Sequence, residues 1–309
     1  MIGIAAASLL ALLAGVLAER RWKADAKLLS GRLLTGIVYL VMPVVVFFTV
    51  ISLKLTNAVG AGLAFGWAER LTVLAIAWVI GTKVLRLPRP ASGALMACVV
   101  IANTGYLGIP LTAMLIGNDQ IGLAVIYENL INVPVVLLIG FAVGAAYGTK
   151  AGRTSGERVK AFFTRNPPLY ALIAALLVPH SLNPSWGADL AHAMALGIAP
   201  IGFFALGVNL MLEHDESGVR LFPPPFTAPV ATAVLLRLVV APGVMIGLSA
   251  LLITVPDTFL LEAAMPAGIN ALVVAHLYGL DMRVTVGAIT WSTGLVVAAA
   301  AAVGLAGGI

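Results

Sequence analysis

Between residues 103 and 110 the chain reads NTGYLGIP, so an amide (Asn103), a hydroxyl (Thr104), two glycines (Gly105, Gly108) and a proline (Pro110) interrupt an apolar run. A second apolar run carries Pro266, Gly268 and Asn270 within PAGIN. A continuous lipid-facing helix has little use for either set. Proline removes a backbone donor and glycine loosens the helical ladder, which leaves amides and carbonyls that must face a cavity or packed protein. Paired interruptions at corresponding places in two halves of a chain are a sequence pointer to the binding site of a transporter. Catalytic chemistry is a poorer match, because the chain holds no HExxH, no GxSxG and no phosphate-binding glycine loop. No catalytic residue, cofactor or metal site is expected.

Ionisable groups within apolar runs are functional candidates by default. Glu128, in YENLIN beside Asn129 and four residues before Asn132, is the candidate for coupling, binding a proton or cation, with an anchor for packing as the alternative. Glu262 lies one turn before Pro266 and is placed at the interface. Arg237 has two open roles, attracting an anion or neutralising a buried carboxylate, and the second is preferred. Arg70 either pairs with Glu69 or snorkels to the interface. His180, His192, His214 and His276 lack metal-ligand spacing, and Glu213, Asp215 and Glu216 are expected in a solvated loop.

The elements that position these residues follow from composition. Of 309 residues, 61% are hydrophobic and 10% charged, against roughly 25% charged in soluble domains, and the mean hydropathy is +1.06. An all-α integral membrane protein follows. With ~20 apolar residues needed per crossing, apolar runs give ten helices near 2–18, 33–53, 62–82, 91–116, 121–148, 168–180, 188–212, 227–253, 258–279 and 284–306. The run Met1–Ala18 is taken as helix 1 and not a signal peptide, since no basic region precedes it and ERRWK follows. The single cysteine, Cys98, excludes an intrachain disulfide framework.

Basic residues fall on one side. The connections after helices 1, 3, 5, 7 and 9 carry fifteen (Arg20, Arg21, Lys23, Lys27 and Arg32; Lys83, Arg86 and Arg89; Lys150, Arg153, Arg158, Lys160 and Arg165; Arg220; Arg283), whereas those after even-numbered helices hold only Lys54. The positive-inside rule then puts both termini outside the cytoplasm. The net charge of +5 therefore reports topology and not a nucleic-acid partner. Residues 149–167 form the longest polar stretch and read as a cytoplasmic linker between two five-helix halves, 1–148 and 168–309. An odd number of helices per half inserts the second half inverted. Sparse internal matches agree: Pro43 and Phe47 in helix 2 with Pro200 and Phe204 in helix 7, then Leu115, Gly117 and Asp119 with Leu277, Gly279 and Asp281. Pro43 and Pro200 are expected to kink their helices.

The Asn103-Thr104 pair followed by Gly108-Ile109-Pro110-Leu111 resembles the fourth-helix signature of the auxin efflux carrier family, and Pro266–Asn270 is similar to the ninth-helix counterpart in bacterial members. The resemblance covers essentially the whole chain. It implies a fold akin to bile-acid symporters and sodium/proton antiporters, with helices 1, 2, 6 and 7 as a scaffold and dimer platform. Helices 3–5 and 8–10 would form a mobile core in which broken helices 4 and 9 cross. The implied activity is alternating-access transport of small organic anions, such as auxin-like acids, malonate or malate, across the inner membrane of a bacterium. Asn103 and Asn270 would hydrogen-bond the substrate, Thr104, Gly105, Gly108, Pro110, Pro266 and Gly268 would line its site, and half-helix amino ends would attract its charge. Alternatives are a sodium- or proton-coupled symporter of another substrate class on this fold and, behind it, an intramembrane enzyme. One departure stands out: plant members carry proline before the helix 4 asparagine, where this chain has Ala102, which implies a gentler break.

Thiols introduced at residues 149–165 of a Cys98-free variant are expected to resist an impermeant reagent in intact cells and to react once the membrane is opened. Rapid labelling in intact cells would overturn the orientation.

Overall fold

The structure is a computed structural model and describes residues 2–51, 60–117, 120–150, 154–179, 182–217 and 226–307. Lys54, Asp119, Arg153, His180 and Arg220 lie outside the described residues. The described residues are helical apart from turns and one isolated β-bridge. The helices are α1 (Ile2–Trp22), α2 (24–51), α3 (Gly60–Val84), α4a (Arg89–Val100), α4b (Thr104–Leu115), α5 (Ile121–Tyr147), α6 (Pro167–Leu177), α7 (Gly187–Ser217), α8 (Ala228–Leu251), α9a (Asp257–Ala263), α9b (Asn270–Tyr278) and α10 (Met282–Gly307). Five of them, α2, α3, α5, α8 and α10, are long and apolar enough to cross a membrane.

The distribution of side chains is that of a protein dissolved in lipid. Leu10, Leu13 and Leu17 of α1, Leu40 of α2, Leu176 and Leu177 of α6 and Leu251 of α8 face outward. Glu69, Arg70, Asn103, Asn132, Arg237 and Glu262 are buried. With hydrocarbon as the solvent, leucine loses nothing by exposure, while polar groups must find partners inside.

Prolines shape the helices through a recurrent device. Wide π-type turns cover Ile37–Val41, Thr104–Gly108, Glu128–Asn132 and Leu236–Val240, and each ends two residues before a proline: Pro43, Pro110, Pro134 and Pro242. A proline cannot donate to the carbonyl four residues back, and its ring crowds that carbonyl. Adding one residue to the preceding turn relieves the crowding without breaking the helix. Pro200, by contrast, sits within α7 with no such turn before it.

The close approach of α1 to α7 rests on two glycines. A Cβ at Gly15 would lie 2.1 Å from the Phe204 carbonyl oxygen, and one at Gly207 would lie 2.1 Å from that of Leu12. Only hydrogen fits, so the backbones touch, as small residues permit between membrane helices. α2 packs on α1, α6 and α7, whereas α3, α4a, α5, α8, α9b and α10 pack chiefly on one another.

Three connections depart from expectation. The segment 24–32, expected as a loop, is the first part of α2, and α1 passes into it through Lys23 at φ 39. The polar linker contains a helix, Ser155–Thr164, started by a capping box in which Thr154 Oγ1 accepts from the Glu157 N–H and Glu157 Oε2 accepts from the Thr154 N–H. Glu213, Asp215 and Glu216 continue α7 instead of forming a loop.

Gly15→Leu or Gly207→Leu must force α1 and α7 apart and should cost about 1–3 kcal/mol. Gly36→Ala, where a Cβ meets nothing within 4 Å, should be neutral or add up to about 1 kcal/mol. Melting temperatures in detergent check both.

Candidate functional site

α4 and α9 each stop inside the protein. After Val100 the chain turns extended at Ile101 (φ −89, ψ 110) and resumes as α4b at Thr104. After Ala263 it runs through Met265–Ile269 before α9b. The two extended stretches pair antiparallel at Ala102 and Ala267: the Asn103 N–H donates to the Pro266 carbonyl and the Gly268 N–H to that of Ile101, both at 2.8 Å. The break is not gentle despite Ala102. Its geometry is imposed by pairing with the other strand and needs no local proline.

Backbone groups that the pairing leaves free are met by side chains. Asn132 Oδ1 on α5 accepts the Ala102 N–H (3.2 Å), and Ser292 Oγ on α10 accepts that of Ala267 (3.1 Å). Arg237, from α8, takes the carbonyls at the carboxyl ends of both half-helices: Nε donates to Met265 (2.8 Å), Nη1 to Val99 (3.0 Å) and Nη2 to Ala263. Its Nη1 also lies 3.3 Å from Glu69 Oε1, and Arg70 Nε lies 3.4 Å from Glu69 Oε2, all with fully buried side chains. Arg237 thus neutralises a buried carboxylate, as preferred, and it also caps two negative helix ends. Arg70 does not snorkel. Its guanidinium lies 5.9 Å from the centre of the Tyr127 ring.

The positive ends are treated differently. Thr104, the first residue of α4b, donates its hydroxyl to Glu128 Oε2, which also accepts from Asn132 Nδ2 at 3.0 Å. Gly105 packs against the same carboxylate, where a Cβ would stand 3.2 Å from Glu128 Oε1. Glu128 therefore occupies the amino end of α4b, where an anion is favoured. About two turns further on, Thr112 Oγ1 approaches Glu262 Oε1 at 3.3 Å. Glu262 is buried and not interfacial: it packs on Gly108, where a Cβ would stand 2.1 Å from its Oε2.

The proposed site residues are thus gathered around one crossing, in distinct situations. Asn103 is buried and Asn270 half-buried, and the side-chain Oδ1 of each has no hydrogen-bond partner. Thr104 and Gly105 serve Glu128. Gly268 serves the crossing itself, since a Cβ there would lie 2.5 Å from the Ala102 carbonyl oxygen. Gly108 and Pro110 lie within α4b and not in the break, and Pro266 lends its carbonyl to Asn103. The ion cluster of Glu69, Arg70 and Arg237 was not legible as a unit, because Glu69 and Arg237 stand 168 residues apart. The one available signal was the presence of charge in otherwise apolar runs.

Broken helices that cross in the protein interior, with polar groups collected around the crossing and apolar surface outside, define a polytopic membrane transporter. Residues 153–302 match the model of a family described as membrane transport protein. An uncharacterized transporter from Methanocaldococcus jannaschii is 24% identical over 268 residues, covering 83% of each chain. These matches are to membrane transport proteins, and they support the resemblance to the auxin efflux carrier family carried by helices 4 and 9.

Arg237→Met should destabilise the protein by about 3–5 kcal/mol, because it leaves three carbonyls without their donor and Glu69 with Arg70 alone in a buried setting. Glu69→Gln added to it should recover part of that loss. Thermal unfolding of the two variants beside the wild type measures the difference.

Proposed function

We propose that the protein is a secondary carrier of small organic anions, binding a carboxylate beside Asn103 and Asn270 and exposing it alternately to the two sides of the membrane. The observation that carries this reading is the crossing with its two asparagine oxygens lacking partners in a buried setting, a state that polar groups in folded proteins rarely keep without a ligand. An amide side chain presents a donor and an acceptor together, so each asparagine can donate from its NH2 group to a carboxylate while its unpartnered oxygen accepts from a hydroxyl or a protonated carboxyl of the same ligand. The amino end of α9b, at Asn270, carries no side-chain cap. It is the end left for a substrate, since Glu128 holds that of α4b.

Ten spans in two inverted halves are part of the proposal. In support, Asn132 and Ser292 bond the two central N–H groups from the fifth helix of each half. Gly117 (φ 147) and Gly279 (φ 72) follow α4b and α9b with positive φ, at positions that match between the halves. In this reading α1, α2, α6 and α7 form the scaffold, through which two copies associate, and the remaining helices form the moving core. The protein lies in the cell membrane with both termini outside the cytoplasm.

A cation-coupled symporter of another substrate class is the second reading. It draws on the carboxylates of Glu128 and Glu262, which both lie against α4b.

With malonate and malate as probes, Asn103→Ala and Asn270→Ala should each weaken binding by about 1.5–3 kcal/mol, roughly ten- to a hundredfold, with melting temperatures near that of the wild type. Unchanged affinity in well-folded variants would remove both residues from the site. A fall in melting temperature without a change in affinity would make them braces of the breaks.

A further inference from the structure

Five ionisable side chains surround α4b and the crossing: Glu69 and Arg70 from α3, Glu128 from α5, Arg237 from α8 and Glu262 from α9a. Tyr127 of α5 faces the same cluster, with its ring toward Arg70. Three carboxylates therefore meet two guanidinium groups, and the fully ionised set carries one negative charge too many. The geometry says which carboxylate is in excess.

Glu69 has both arginines within 3.4 Å. Glu128 has the Thr104 hydroxyl, the Asn132 amide and the amino end of α4b. Each of these arrangements stabilises a negative charge. Glu262 has one long contact, from Thr112 at 3.3 Å, and its Oε2 is buried without any hydrogen-bond partner. No ion pair reaches it among the described residues. An ionised carboxylate held that way in an apolar interior is costly, whereas the neutral acid is not. A single proton on Glu262 also brings the cluster to zero net charge.

We propose that Glu262 is a proton-binding site of the transport core, neutral in the conformation seen here, and that a proton gradient acts on transport through it. The coupling role rests on the carrier reading above; the protonation itself does not. A metal cation is the poorer occupant. Two guanidinium groups belong to the same cluster, and among the described residues no group of three acidic, histidine or cysteine side chains is placed to hold a metal. Gly108 fits this role: its missing side chain gives the Glu262 carboxyl its place against α4b, where a Cβ would collide. In the carrier reading, motion of α4 and α9 together against the scaffold would open the Glu262 carboxyl to one side of the membrane. Contact with water would then allow the proton to leave, making Glu262 a carboxylate and adding one negative charge to the core.

Infrared spectroscopy of the full-length protein in lipid nanodiscs at neutral pH, without any substrate, tests the assignment. The wild type should show a carboxylic-acid carbonyl stretch that is absent from Glu262→Gln and retained in Glu128→Gln. Since glutamine copies the neutral acid, Glu262→Gln should melt at or above the wild-type temperature. The assignment is overturned if the band is missing from the wild type, survives in Glu262→Gln or disappears in Glu128→Gln. Loss of the band on adding sodium at constant pH also overturns it, in favour of a cation site, and so does a Glu262→Gln variant that melts well below the wild type. Because no substrate is used, a failure of malonate or malate to bind leaves this result standing, and the two readings fail separately.

Discussion

A backbone that stops being helical inside hydrocarbon has to find a partner for every N–H and C=O group it releases, and the rest of this structure is arranged around that constraint. Ile101–Asn103 and Pro266–Gly268 meet part of it with each other, through two 2.8 Å bonds. The remainder is met from neighbouring helices: Asn132 and Ser292 take the central N–H groups, and Arg237 takes three carbonyls. The crossing therefore depends on α5, α8 and α10 as much as on α4 and α9. Helices that share these bonds are expected to move together.

The same breaks create four helix ends within the protein, each with a partial charge. The carboxyl ends of α4a and α9a share Arg237, whose own charge is matched by Glu69. At the amino end of α4b stands Glu128, and at that of α9b stands Asn270, a neutral side chain. This asymmetry ties geometry to function. In the proposed function, a substrate anion entering the crossing would find one positive end already holding a carboxylate and one that does not, so its binding would be sensitive to the charge on Glu128 and on neighbouring Glu262.

Much of this was legible in the sequence, because glycine, proline and asparagine in an apolar run are costly unless used. Asn103, Gly268 and Asn270 announce the crossing. Other features were hidden for physical reasons. Ala102 suggested a mild break, yet the extended conformation there comes from pairing with residues 165 positions away, a tertiary effect that no local residue encodes. Glu262 looked interfacial because nothing in its neighbourhood in the sequence shows that α4b packs over it. Thr154-Ser155-Gly156-Glu157 spells a capping box, and a polar linker was read where a short helix begins. Four prolines lie two residues beyond a widened turn. The prolines are visible in the sequence, but the register shift that aims Glu128 and Asn132 toward α4 is not.

The pairing at the crossing can be tested by joining it covalently. Ala102 and Ala267 are the non-hydrogen-bonded pair of the antiparallel bridge, a position where Cα atoms lie about 4.5 Å apart and within the range a disulfide spans. In a Cys98-free background, Ala102→Cys with Ala267→Cys should form a disulfide under mild oxidation. Protease cleavage in the central linker followed by non-reducing electrophoresis should then leave the two halves joined. In the proposed function both breaks belong to one moving body, so the cross-linked protein should keep the substrate affinity of its reduced form. Halves that separate completely after oxidation, in a protein shown to be folded, would contradict the crossing and the account built on it.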